Sequence, residues 1–202
     1  MAGIKTPERS QDGPGSVAAQ TPPMDGAADR RWLIVAAERA GLVSANGGSR
    51  PDPVIGRGRL PRVATRTLGT STGSVRAARD FTLATLHQWR VAERSDDIAI
   101  VVSELLTNAL RHAPQAPGGN TGPGRPIQLG LLQPGPYLLC AVADPGRAAP
   151  VPQTPGFLAE TGRGLHIICA LSDRWGYTTL NDTGKVVWAT FTSGPAAPWP
   201  AR

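Results

Sequence analysis

The chain has 202 residues, 40% of them hydrophobic, and a formal net charge of +6. No apolar run approaches the roughly 20 residues that cross a bilayer, and the N-terminus has no secretory pattern, so a cytoplasmic protein away from membranes is expected. Only Lys5 and Lys185 among the 21 basic residues are lysines, and the arginines are scattered among Gly, Pro and acids, which argues against a dedicated nucleic-acid role.

Residues 1–61 are dominated by Gly, Pro, Ala, Ser and Arg, a composition that buries too little apolar surface to offset the cost of ordering it. They read as a disordered extension. One island, 31–43, could form a helix of about three turns, either incidental or a partner-binding segment. The ordered domain is expected over 62–193. Val63, Thr65 and Thr67 mark 62–70 as a strand. Ser74 can cap a helix through 90, with Val75, Ala78, Phe81, Leu86 and Trp89 as its apolar face. Asp96 or Asp97 can cap the next helix, which runs to about residue 112 and is stopped by Pro114.

After a Gly/Pro loop over 115–126, residues 127–132 and 137–142 read as strands joined by the tight turn Gln133-Pro-Gly-Pro136. A loop of about twenty residues follows, and structureless loops of that length inside a compact domain are usually functional. Residues 164–172 are helical. Strands over 175–180 and 185–192 close the domain as a hairpin about Asn181–Gly184, and 194–202 read as a disordered tail. Helices early and antiparallel hairpins late imply an α+β fold, a two-layer α/β sandwich on a mixed, mainly antiparallel sheet. Cys140 and Cys169 stand alone in apolar stretches without metal-ligand spacing, so buried free thiols are expected.

Three features carry chemistry. On the helix ending at about residue 112, Ile98, Val101, Val102, Leu105, Leu106, Ala109 and Ala113 form a core-facing stripe. Glu104, Asn108 and His112 lie along one face beside it. A carboxamide oxygen suits magnesium and a carboxylate one turn away can take a proton; alone, the spacing also fits an ordinary helix edge with His112 at the negative end of the dipole. The second feature is Val142-Ala-Asp-Pro-Gly146. A carboxylate at a strand end can accept an exocyclic amino group of a base, although Asp-Pro-Gly is also a common turn. The third is Gly162-Arg-Gly-Leu165, which opens an apolar helix. Unpaired backbone N–H groups there can face a phosphate, with Arg163 adding charge; alone it would also serve as a glycine hinge. It is neither a Walker A loop nor a dinucleotide fingerprint.

A Glu-x-x-x-Asn helix, then a strand ending in Asp-x-Gly, a long loop and a Gly-x-Gly helix start is an order that resembles one superfamily. It is the ATP-binding domain shared by sensor histidine kinases, DNA gyrase, Hsp90 chaperones and MutL repair proteins. Within it, Glu104-Leu-Leu-Thr-Asn-Ala-Leu-Arg-His112 looks most like the bacterial anti-sigma-factor serine kinases and related actinobacterial regulatory ATP-binding proteins. The resemblance implies a Bergerat-type fold over about 62–192 and two cofactors, ATP and Mg2+. By that resemblance Glu104 is the general base and Asn108 holds magnesium, with His112 in the same site. Asp144 takes the adenine amino group beside Gly146, Gly162, Arg163, Gly164 and Leu165 wrap the phosphates, and 147–161 is the lid.

The implied activity is that of an ATP-dependent protein-serine kinase that binds a sigma factor and phosphorylates its antagonist, with a homodimer suggested by analogy. The alternative is a non-catalytic ATP-binding interaction module in transcriptional or developmental regulation. Two positions depart from the family pattern. Arg147-Ala148 replaces a second glycine after Gly146, and Gly184-Lys-Val-Val-Trp188 lacks the usual threonine near the adenine, so either the base contact is remade, for example through water, or affinity is reduced.

Overall fold

The computed structural model describes residues 30–43, 61–71, 73–112, 126–150, 163–180 and 184–193. In chain order the elements are α1 (Arg31–Arg39), β1 (Arg62–Leu68), α2 (Gly73–Trp89), α3 (Ser95–His112), β2 (Ile127–Gln133), β3 (Tyr137–Asp144), α4 (Gly164–Leu171), β4 (Arg174–Thr179) and β5 (Lys185–Thr192). The strands form one sheet in the order β1-β2-β3-β5-β4, and every neighbouring pair is antiparallel. The fold is α+β as expected, with a sheet that is antiparallel throughout. Among the described residues no helix is long and apolar enough to cross a membrane.

Side chains alternate across a strand, and the two sets on β3 and β5 enter different cores. Leu138, Cys140 and Val142 with Val187, Ala189 and Phe191 meet α2, α3 and α4 in the larger core. The stripe of α3 is buried there as its spacing predicts. Asp96 and Asp97 occupy the first turn of α3 and Arg111 and His112 its last, which matches the helix dipole at both ends. Helix α2 ends with Arg90 in the left-handed region, at φ 60°. There the Val91 N–H donates to Leu86 O and the Arg90 N–H to His87 O, a Schellman closure that turns the chain into α3.

The opposite strand set, Leu139, Ala141, Ala143, Val186 and Trp188, is covered by Trp32, Leu33, Ala36, Ala37, Ala40 and Leu42. This corrects the expected boundary at residue 62: within the supposedly disordered extension, residues 30–43 fold onto the sheet as an outer layer. Composition averaged over 1–61 hides the island, but its own spacing is that of a one-sided helix. Its C-terminus is also encoded. Gly41 has φ +76°, and the Leu42 N–H donates to Ala37 O and the Gly41 N–H to Glu38 O, again a Schellman closure. The backbone of β2 lets the helix approach closely at Gly130, where a Cβ would lie 2.7 Å from Trp32 Cη2. The rest of 1–61 and the tail 194–202 lie outside the described residues.

One charged cluster ties the helical layer to the sheet at the end where α3 begins. Arg94 Nη1 lies 2.7 Å from Asp173 Oδ1, its guanidinium stacks 5.0 Å from the Phe191 ring centre, and Nη2 donates to Leu171 O at the end of α4. Asp173 Oδ2 accepts from Thr192 N at 2.6 Å and from Thr192 Oγ1 at 2.8 Å. Burial alone would raise the Asp173 carboxyl, but the bonds from Arg94 and Thr192 and the Arg94 charge outweigh it and hold it below its ordinary value. Both cysteines are free as expected, but only Cys140 is buried; Cys169 is exposed, because it falls on the outward side of the short helix α4.

Candidate functional site

Four chain segments converge at one rim of the sheet: the end of α3, the end of β3, the start of α4 and the start of β5. Helix α3 is long enough to carry its C-terminal half to this rim. Glu104 and Asn108 are half-buried beside its apolar stripe, and His112 is exposed at its end. Gly164, the first residue of α4, packs directly on this face. A Cβ there would sit 2.7 Å from Glu104 Oε2 and 3.4 Å from Asn108 Oδ1, so the helix start lies directly against both polar groups and a side chain at this position would push the Glu104 carboxylate aside. Arg163 occupies the N-cap position with no side-chain cap bond, which leaves the first N–H groups of α4 available to a ligand. Arg163 itself is exposed and Leu165 buried. Gly162 lies outside the described residues, as do 151–161 of the expected lid.

Asp144 closes β3 and is 4% exposed. Its direct partner across the ladder is Lys185, the first residue of β5. Lys185 Nζ lies 2.9 Å from Asp144 Oδ1, with both side chains buried, and 3.2 Å from Gly146 O. The Gly146 N–H donates to the same Oδ1 at 2.7 Å. Gly146 is pressed into this cluster: a Cβ would lie 2.8 Å from Oδ1, 2.9 Å from His112 O and 3.0 Å from Lys185 Nζ. The second and first motifs therefore also touch, through the backbone end of α3. Gly184, at φ +126°, brings β5 against the end of β3, and a Cβ there would fall 2.0 Å from Asp144 O. No L side chain fits that position.

A cavity of about 460 Å3 opens among these elements, within the range of small-molecule sites, about 300–1,000 Å3. Asn108, His112, Asp144, Gly164 and Leu165 line it, together with Lys185. Its walls are mixed: Leu105, Ala109 and Val187 are apolar, and Arg111 adds a second cation. Glu104, Gly146 and Arg163 stand just behind or beside the lining. The arrangement offers an apolar slot with a carboxylate and an ammonium at its floor, and a helix N-terminus beside a carboxamide and a carboxylate. A flat heteroaromatic group suits the first part and an anion the second.

Among the described residues no group of three or more His, Cys, Asp or Glu could hold a metal ion by itself. Such a sparse donor set fits magnesium, which keeps several waters and commonly takes one or two protein oxygens plus phosphate oxygens; Asn108 Oδ1 is the available neutral donor.

Sequence reasoning missed Lys185 as a site residue, noting only the absence of threonine in that stretch. A signal was present. In Lys185-Val-Val-Trp-Ala-Thr-Phe191, alternation places Lys185 on the same side as Val187, Ala189 and Phe191, hence inward. Arg111 was missed as well, and a helix wheel alone does not reveal which of its neighbours borders a cavity.

A profile of the histidine kinase-like ATPase domain matches residues 70–191. Among solved structures, the chain is similar to the crystal structure of the RsbU and RsbW domains of Rv1364c from Mycobacterium tuberculosis. The identity is 18% and the TM-score 0.49, over 69% of this chain and 35% of that one. No curated protein matches the chain.

Proposed function

Because the chain belongs to the histidine kinase-like ATPase family, we propose that it is a regulatory protein that binds Mg-ATP in this cavity and phosphorylates a serine of a partner protein. The anti-sigma-factor kinases are the nearest analogy in sequence pattern, with a sigma factor and its antagonist as the partner class. The observation that carries the reading is that Asn108, Asp144 and Gly164 line one cavity, with Glu104 packed against Gly164. Nothing in their sequence spacing requires these segments to meet.

In this reading Asp144 would accept the amino group of the base on Oδ2, since the bonds from Gly146 and Lys185 fall on Oδ1 of that carboxylate. The start of α4, where Gly164 and Leu165 offer unpaired backbone N–H groups, would hold the phosphates, with Arg163 adding positive charge; Gly162 is assigned to them by the family pattern alone. Asn108 holds magnesium, which, when bound, neutralises charge on the phosphate oxygens. The Glu104 carboxylate would take the proton of the attacking hydroxyl. His112, exposed at the end of α3, borders the entrance and presents its backbone carbonyl to Gly146. Protein phosphoryl transfer needs little more than this, because positioning and electrostatics carry most of the rate.

The test is a calorimetric titration with ATP, with and without magnesium, followed by transfer assays against candidate antagonist proteins. Wild type binds ATP more tightly with magnesium. Asn108→Ala loses that magnesium dependence by about tenfold or more, and Glu104→Ala keeps ATP binding but loses transfer. Magnesium-ATP affinity unchanged in Asn108→Ala would sink the assignment of the metal ligand. ATP binding without transfer to any antagonist would leave the non-catalytic module as the function.

A further inference from the structure

Lys185 lies in the stretch of the closing strand where the family usually carries a threonine, and it is one of only two lysines in the chain. A buried lysine is rare unless paired, and this one is paired at the floor of the cavity. An ammonium has three protons to donate. Two are placed, on Asp144 Oδ1 at 2.9 Å and on Gly146 O at 3.2 Å. Among the described residues no acceptor is seen for the third, and Lys185 lines the cavity. A proton of a buried ammonium left without an acceptor is costly, so the site is built to receive an acceptor from a ligand.

We propose that Lys185 is a second base-reading residue, donating a hydrogen bond to N1 of adenine beside the contact between Asp144 and the 6-amino group. The inference rests on the ATP reading above. The Watson–Crick edge of adenine carries a donor, N6–H, next to an acceptor, N1. Reading it takes a protein acceptor next to a protein donor, and Asp144 and Lys185 are adjacent across the β3–β5 ladder with their heads in contact. The pair also has no net charge, so a neutral base is not asked to rest against an isolated buried ion. Guanine in the same pose would set its N1–H against the ammonium and its O6 against the carboxylate, two mismatches in a buried site. Gly146 makes the pair possible, since a side chain there would displace both heads.

The experiment compares ATP with 1-deaza-ATP, which lacks only the N1 acceptor, on the full-length wild type and on Lys185→Met. Wild type is expected to bind 1-deaza-ATP about tenfold or more weakly than ATP, and the two nucleotides should bind Lys185→Met equally. Equal affinities in wild type overturn the proposal. So does a preference for ATP that persists in Lys185→Met, because the N1 contact would then come from another group. Lys185→Met leaves a buried carboxylate unpaired and can fail to fold; Asp144→Asn/Lys185→Met removes both charges and must lose the N1 preference in the same way. Absence of ATP binding to wild type would sink the ATP reading and this inference together. ATP binding indifferent to N1 sinks the inference alone.

Discussion

The two faces of the sheet are built from different residues and do different work. On the inner face the rows Leu138-Cys140-Val142 and Phe191-Ala189-Val187 are largely branched and apolar, and each continues into a charged residue, Asp144 and Lys185, at the rim where the helices end. On the outer face Leu139-Ala141-Ala143 and Val186-Trp188 stay apolar to the same rim, and small residues there admit a close helix carrying Trp32 and Leu33. In this chain, then, the cavity opens where the inward row outruns the helical cover. The outward row stays covered by one short helix.

The largest effects should come from cutting either cover. Leu106→Ala in α3 and Leu33→Ala in α1 each empty a fully or almost fully buried site, and each should cost about 2–5 kcal/mol in urea unfolding. Ile34, on the same helix but 52% exposed, is the control: Ile34→Ala should stay within about 0.5 kcal/mol. A Leu33→Ala variant as stable as wild type would detach α1 from the fold and erase the distinction between the faces.

A smaller effect belongs to the inner face only. The folded-state pKa of Asp173 is lowered, so its contribution is fully present above the unfolded value of about 3.9 and is lost as pH falls through the lower folded value. Asp173→Asn should therefore be less stable than wild type at neutral pH, and the two should converge on acidification. Urea midpoints measured between about pH 2 and 6 check this; parallel curves would remove the Arg94–Asp173–Thr192 cluster from the account.

The finest distinction is kinetic. Burial pushes the Cys140 thiol up to about 12, whereas Cys169 is exposed, and only thiolate reacts. One thiol should label at once and the other only on unfolding. Repeating the labelling in Leu33→Ala separates the layers. Protection of Cys140 there would mean that α1 can loosen while the inner core holds, and its loss would mean that the two faces unfold as one.

Much of the inner layer was legible from local pattern. The stripe of α3, the acids of its first turn, the Gly-Pro turn between β2 and β3 and the closing hairpin all follow from periodicity and turn chemistry, which act within a few residues; those acids lie inside the helix, which begins at Ser95, rather than capping it as expected. The outer layer was less legible because its signal is split. Tyr137-Leu-Leu-Cys-Ala-Val-Ala143 is apolar at every position, the mark of a strand covered on both faces, while its cover lies almost a hundred residues upstream in a segment whose average composition reads as disorder. In the same way Glu104, Asn108, Asp144 and Gly164 could be named from spacing and resemblance, but the cross-strand partner of Asp144 could not. The β3–β5 register that sets Lys185 opposite it is a property of two paired strands, not of either one.

The α+β class, the helix faces and the order of the three motifs were fixed at the level of the sequence, because they depend on short-range periodicity and on residue chemistry. Three features waited on the folded chain: the N-terminal island closes the sheet, Gly164 brings α4 against Glu104 and Asn108, and a lysine shares the floor of the cavity with Asp144. Each of these is a contact between residues far apart in the chain, made by strand register and by the close approach of backbones, and local propensity carries no information about either.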